Sequence, residues 1–306
     1  MKKSSILFAA IWISSLFVTA CTPTQESSST NEMNPTETLM AEATNTQPPV
    51  QIIKNIRYID EAALDIYLPS ATSQPVPAIL AFHGGNDNRS RFFNLGYHLA
   101  ERGYALVAID YHDTIEYPYP QAPRDAFCAL AWVQANASTY NFDTGNLFAL
   151  GHSSGGTLAA LLGTVDDATL YMEGCQNPLS STERIKGVIT FTGIFDFVRA
   201  AGYNTPLHDY LVDYLGGDPG SIPDVWTQAS PGTWTDEGDC PFLLIHGGGD
   251  GSIPAQESVD FSATLDSFGV QVSLLIIPGA DHMATIKHPD ATQAIDEFLS
   301  GFGLIP

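Results

Sequence analysis

The chain has 306 residues, 44% of them hydrophobic, which is enough for one large domain with a sizeable core. A net charge of −22, from 34 acidic and 12 basic residues, repels phosphate backbones and anionic headgroups, so nucleic acid is not an expected partner and the charge reads as solubility. The charged fraction is only 15%, which excludes a disordered acidic chain.

Residues 1–20 read as a signal peptide: Lys2 and Lys3 form a positive start, and Ile6 to Val18 a short apolar stretch. Val18-Thr19-Ala20-Cys21 then resembles the lipobox of bacterial lipoproteins, in which the cysteine becomes the lipidated first residue of the mature chain. Val18 stands where Leu is more usual. The apolar run is too short and serine-dotted for a comfortable membrane span. The expectation is an exported, cell-envelope lipoprotein (or a secreted protein, if cleavage is ordinary) that meets a membrane only through lipid on Cys21. Residues 21–49 are rich in Thr, Ser, Gln, Asn and Pro. They cannot bury enough apolar area to offset their ordering entropy, and read as a flexible tether. Of the remaining cysteines, Cys128 lies in a helical pattern and reads as a buried small hydrophobe. Cys175 and Cys240 lie in polar segments ahead of strands and form the expected disulfide. No Cys/His spacing suggests a metal, and no cofactor is expected.

Residues 50–306 alternate strand-like and helix-like stretches as one domain. Ile52 to Ile59 and Leu64 to Leu68 read as an opening antiparallel pair. Six apolar runs follow: Ala78 to Phe82, Ala105 to Asp110, Leu147 to Leu150, Gly187 to Thr192, Pro241 to His246 and Val272 to Ile277. Helical patterns separate them at Phe92 to Arg102, Asp125 to Ala137, Gly156 to Leu162, Ala255 to Phe268 and Ala291 to Gly301. Continuous apolar strands with helical crossovers predict a mostly parallel eight-stranded sheet with helices on both faces. In such sheets chemistry gathers beyond the carboxyl ends of the strands.

Gly151-His152-Ser153-Ser154-Gly155 sits between the run Leu147 to Leu150 and the small-residue helix from Gly156, the strand–turn–helix setting of a G-x-S-x-G nucleophile elbow. Glycines at 151 and 155 let strand and helix pass closely, and they frame Ser153 alone, not Ser154. A serine hydroxyl needs a base, and in this arrangement an acid and then a histidine follow along the chain. His282, in Pro278-Gly279-Ala280-Asp281-His282 just past the last strand, is the expected base; His288 reads as a solvated surface residue. Asp250 leaves the penultimate strand through Gly247-Gly248-Gly249 and is the expected orienter. Its serious rival is Asp196, because Asp281 adjoins the histidine in sequence and Asp239 lies at the wrong end of a strand. The oxyanion hole takes the backbone N–H of Ser154 and one from Gly84 or Gly85, in Phe82-His83-Gly84-Gly85-Asn86. The other histidines, 83, 98, 112, 152, 208 and 246, read as structural or surface.

Together these motifs, with His246-Gly247, Ile253-Pro254, Tyr117-Pro118-Tyr119-Pro120, Arg124-Asp125 and Ala229-Ser230-Pro231, resemble those of bacterial carboxylesterases of the α/β-hydrolase superfamily. The similar branch is that of feruloyl and acetyl-xylan esterase-like enzymes, near the hormone-sensitive-lipase and arylformamidase groups. The resemblance covers about residues 52 to 300. It implies the α/β-hydrolase fold and cleavage of small esters, including acylated carbohydrates, through an acyl-enzyme. The family often has Ala where Ser154 stands. Competing readings are an amide or formamide hydrolase or peptidase on the same triad, and a non-catalytic surface binding protein on this scaffold. The segment from Arg199 to Gly238 reads as aromatic, irregular and able to wall the pocket.

Overall fold

Every second residue of a strand faces the same side, and here both sides are apolar. In β3 (Val76–Phe82) all seven residues are buried. Val76, Ala78, Leu80 and Phe82 join one hydrophobic cluster, while Ile79 and Ala81 join another. That pattern requires helices on both faces of the sheet. A computed structural model describes residues 50–70, 72–180, 182–203 and 206–304. The expected signal peptide and tether, with Cys21, lie outside the described residues.

The other strands are β1 (Val50–Arg57), β2 (Ala63–Pro69), β4 (Ala105–Ile109), β5 (Phe142–His152), β6 (Ile185–Phe191), β7 (Phe242–Gly247) and β8 (Val272–Ile277). They form one sheet in the order β1-β2-β4-β3-β5-β6-β7-β8. β1 pairs antiparallel with β2, and β2 antiparallel with β4; every other pair is parallel. This mostly parallel, helix-covered sheet is the α/β-hydrolase fold that the motifs imply.

On one face lie α2 (Gln121–Ala135), α4 (Ser154–Thr164) and α8 (Gln256–Ser267), which contribute Phe127, Leu158 and Phe261 to the larger cluster. The other face takes Leu99 of α1 (Phe93–Glu101) and Ile295 of α9 (Pro289–Ser300). The single turn α3 (Ala137–Tyr140) leads into β5. β5 begins five residues before the expected strand. Phe142 and Asp143 pair with Val76 and Pro77, and the register then shifts before Leu147. Asp143 accepts the Gly145 N–H at 3.0 Å, a local turn that makes the first half of the strand look like a loop in the sequence.

Among the described residues α5 (Phe197–Ala200) runs into the start of the stretch expected to be irregular, and α6 (Leu207–Leu215) and α7 (Pro223–Ala229) lie within it. Their Phe197, Leu211, Leu215 and Trp226 form a third cluster with Ile253. They stand beyond the carboxyl ends of the strands, over the site.

The expected Cys175–Cys240 disulfide is not what forms: Cys175 bonds to Cys128, Cα to Cα 4.9 Å. Cys128 is on α2, and Cys175 follows a short turn, Ala168–Tyr171, which packs on that helix with Tyr171 stacked on Phe127 at 5.1 Å. Spacing along the chain does not reveal which helix face meets which turn. Cys240 is a free cysteine beside Gly163, its thiol pushed up to about 12 by burial and then by Asp239.

Candidate active site

The elbow between β5 and α4 is built from clashes that only glycine avoids. A methyl group on Gly151 would lie 1.9 Å from the Gly155 carbonyl oxygen, and one on Gly155 would lie 2.1 Å from that of Phe82. So β5, α4 and the end of β3 meet backbone to backbone. Ser153 pays for this approach with a φ of +56°, a strained value for a side-chain-bearing residue. Its N–H donates to Phe191 of the neighbouring strand at 2.8 Å, which fixes the turn.

Ser153 and His282 line the same cavity of about 380 Å³, beside Ser154 and Gly85. His282 Nδ1 donates to Asp250 Oδ2 at 2.7 Å. The Asp250 side chain is fully buried. Its second oxygen accepts the N–H groups of Ser252 and Ile253 at 2.8 and 2.9 Å. Burial alone would raise this carboxyl, but hydrogen bonds from His246, His282 and Ile253 outweigh it and hold it well below the usual carboxylate range. An ionised Asp250 therefore fixes the Nδ1–H tautomer and leaves Nε2 of His282 free to take a proton.

The rival carboxylates are occupied elsewhere. Asp196 caps α5, accepting the Arg199 N–H at 2.9 Å. Asp281 closes its own turn by accepting from Met283 and Ala284. Asp239 accepts the Asp236 N–H at 3.1 Å. His288, expected as a plain surface residue, caps α9 through Nδ1, which accepts the Asp290 N–H at 3.3 Å.

Of the two glycines expected at the oxyanion hole, Gly85 lines the cavity. Gly84 is the closer-packed: a methyl group there would lie 2.9 Å from His152 Nδ1 and 3.1 Å from Ser153 Cβ. Among the described residues the N–H groups of Gly84, Gly85 and Ser154 meet no acceptor.

Two histidines read as structural belong to the site's frame. His152 Nε2 donates to the His282 carbonyl at 2.9 Å, and burial lowers its pKa to about 4, so it stays neutral. His246 Nε2 donates to Ile253 at 3.0 Å and Nδ1 accepts from the Ser258 hydroxyl at 2.7 Å, which holds the loop that carries Asp250. The signal that could have found them is their position, one inside the elbow motif and one at the carboxyl end of β7.

Away from the serine the cavity wall is apolar: Leu158 and Leu161 from α4, Phe197, and Tyr119, Tyr210 and Tyr214. The Tyr210 hydroxyl donates to Thr114 at 2.6 Å, and that of Tyr119 pairs with Tyr171 at 2.9 Å.

The chain is similar to two curated proteins of Mycobacterium tuberculosis, Esterase LipQ and Esterase LipC. It is 25% identical to LipQ over 75% of this chain and 56% of LipQ, and 28% identical to LipC over 75% of this chain and 59% of LipC. It thus spans a little over half the length of these relatives. Among solved structures it resembles a bifunctional GH43-CE of Bacteroides eggerthii, with TM-score 0.72 and 26% identity, over 81% of this chain and 35% of that one. The BD-FAE family model matches residues 64–265, from β2 to the end of α8. That match takes in more than half of the sequence, including the Gly84–Gly85 loop, the Ser153 elbow and Asp250 but not the last histidine loop, and the chain belongs to the BD-FAE family.

Proposed function

We propose that this protein is a carboxylic ester hydrolase working through an acyl-enzyme on Ser153. The observation that carries the reading is the 2.7 Å hydrogen bond from His282 to a buried, ionised Asp250, on the cavity that Ser153 also lines. In this reading Ser153 Oγ attacks the ester carbonyl carbon while His282 Nε2 takes its proton. The tetrahedral oxyanion is received by the N–H groups of Ser154 and of Gly85 or Gly84. The carbonyl re-forms as the alcohol leaves with the proton from His282. Water then attacks the acyl-enzyme by the same route, giving the acid and free Ser153.

The esterase names of LipQ and LipC and the family membership support this reaction class. The apolar cavity supports a small ester with an apolar portion, and the likeness to a GH43-CE supports acylated carbohydrates among the substrates. The N-terminal signal, Cys21 and the Cys128–Cys175 disulfide support an exported protein held by lipid. One experiment addresses both parts: the full chain is expressed and membrane and soluble fractions are assayed. Membranes should hydrolyse p-nitrophenyl esters faster than the matching anilides, and Cys21→Ser should move that activity to the soluble fraction. Faster anilide cleavage would overturn the ester reading. Identical partition of the two forms would overturn the anchor.

A further inference from the structure

The two halves of the oxyanion site come from different elements, Ser154 from α4 and the glycine loop from β3. At their junction a methyl group on Gly155 would lie 2.3 Å from the His83 carbonyl oxygen. Tyr111, buried just past β4, spans that junction. Its hydroxyl donates to the His83 carbonyl at 2.8 Å and lies 3.0 Å from Ser154 Oγ. A phenol has one hydrogen, and a carbonyl can only accept, so the Ser154 hydroxyl is the donor to Tyr111. The Tyr111 ring also stacks on His83, centroids 4.5 Å apart. Two residues on, Asp113 accepts the N–H of Asn86 at 2.8 Å, which holds the far end of the same loop. Gly84 and Gly85 are therefore suspended between two points gripped by one segment.

We infer that Tyr111, together with the Ser154 hydroxyl, is a positioning residue that sets the separation of the two oxyanion donors. The inference rests on the catalytic reading above. It gives the Ser154 side chain a role where an alanine would leave only the backbone donor. Losing an oxyanion donor outright costs about 10² to 10³ in kcat; loosening the frame while keeping both donors should cost less.

The test is kcat and KM on a p-nitrophenyl ester for Tyr111→Phe, Ser154→Ala and the double variant, with affinity for a trifluoromethyl ketone that binds as a tetrahedral adduct. Tyr111→Phe should lower kcat about tenfold and leave KM within about twofold, because substrate contacts persist. Ser154→Ala should lower kcat by less, and the double variant by no more than Tyr111→Phe, since one chain of hydrogen bonds is being cut. Ketone affinity should fall in parallel with kcat/KM. The control is Tyr104→Phe, which removes a buried phenol bonded to Leu299 on the opposite face at 3.2 Å. Losses that multiply, that appear in KM alone, or that Tyr104→Phe reproduces would overturn the inference. Should Tyr111→Phe not fold, unchanged kcat in Ser154→Ala overturns it. A Ser153→Ala variant that still turned over would instead sink the catalytic reading.

Discussion

Asp250 and Asp196 both follow strands of one sheet, yet their surroundings give them different chemistry. Asp250 accepts from His282, and Asp196 spends its carboxylate on the N-terminus of α5. Asparagine at 250 keeps the shape, removes the charge and favours the wrong imidazole tautomer, which costs about 10⁴ in turnover in the well-studied serine triad. Asp250→Asn should lose kcat by roughly that order with folding preserved. Asp196→Asn should lose at most about tenfold, because asparagine also caps helices. The measurement is kcat on a short-chain p-nitrophenyl ester near pH 8; the opposite ranking would make Asp196 the orienter. The three triad candidates were legible because each sits in a turn with its own glycines or at a strand's carboxyl end. The roles of His152, His246 and Tyr111 were not legible, because their partners lie 130, 12 and 28 residues away along the chain.

Among the elements, the apolar runs of the sheet were readable to within a few residues, since burial on both faces leaves little but aliphatic residues in a strand. The early half of β5 was hidden by Thr144-Gly145-Asn146, which reads as a turn although the strand passes through it. The helix α6 was hidden by the aromatic character of its segment, although Leu207, Leu211, Tyr214 and Leu215 repeat at helical spacing. The disulfide was misread because the stretch of α2 around Cys128, Ala126 to Val133, is uniformly apolar, so no face was marked for Cys128. The Cys128–Cys175 bond closes a sequence separation of 47, for which loop-closure entropy predicts about 4 kcal/mol of stabilisation. Reduction should lower the urea midpoint of the wild type and of Cys240→Ala alike. It should leave a Cys128→Ala/Cys175→Ala variant unchanged. A Cys240→Ala variant insensitive to reductant would restore the pairing first expected.

At the scale of the whole molecule, the sheet brings Ser153, Asp250 and His282, the proposed nucleophile, acid and base, from three separate strand ends, and residues of α5 to α7 wall the cavity that Ser153 and His282 line. Tyr214 of α6 and Phe197 of α5 line that cavity together with Ser153. The central claim is that Ser153 is the acylated residue. It is tested most directly by treating the protein with a fluorophosphonate and locating the adduct by mass spectrometry. The account predicts a single adduct on Ser153, and Ser153→Ala that takes no label and loses hydrolysis by about 10⁴ or more. An adduct on Ser154, or Ser153→Ala hydrolysing at the wild-type rate, would contradict it.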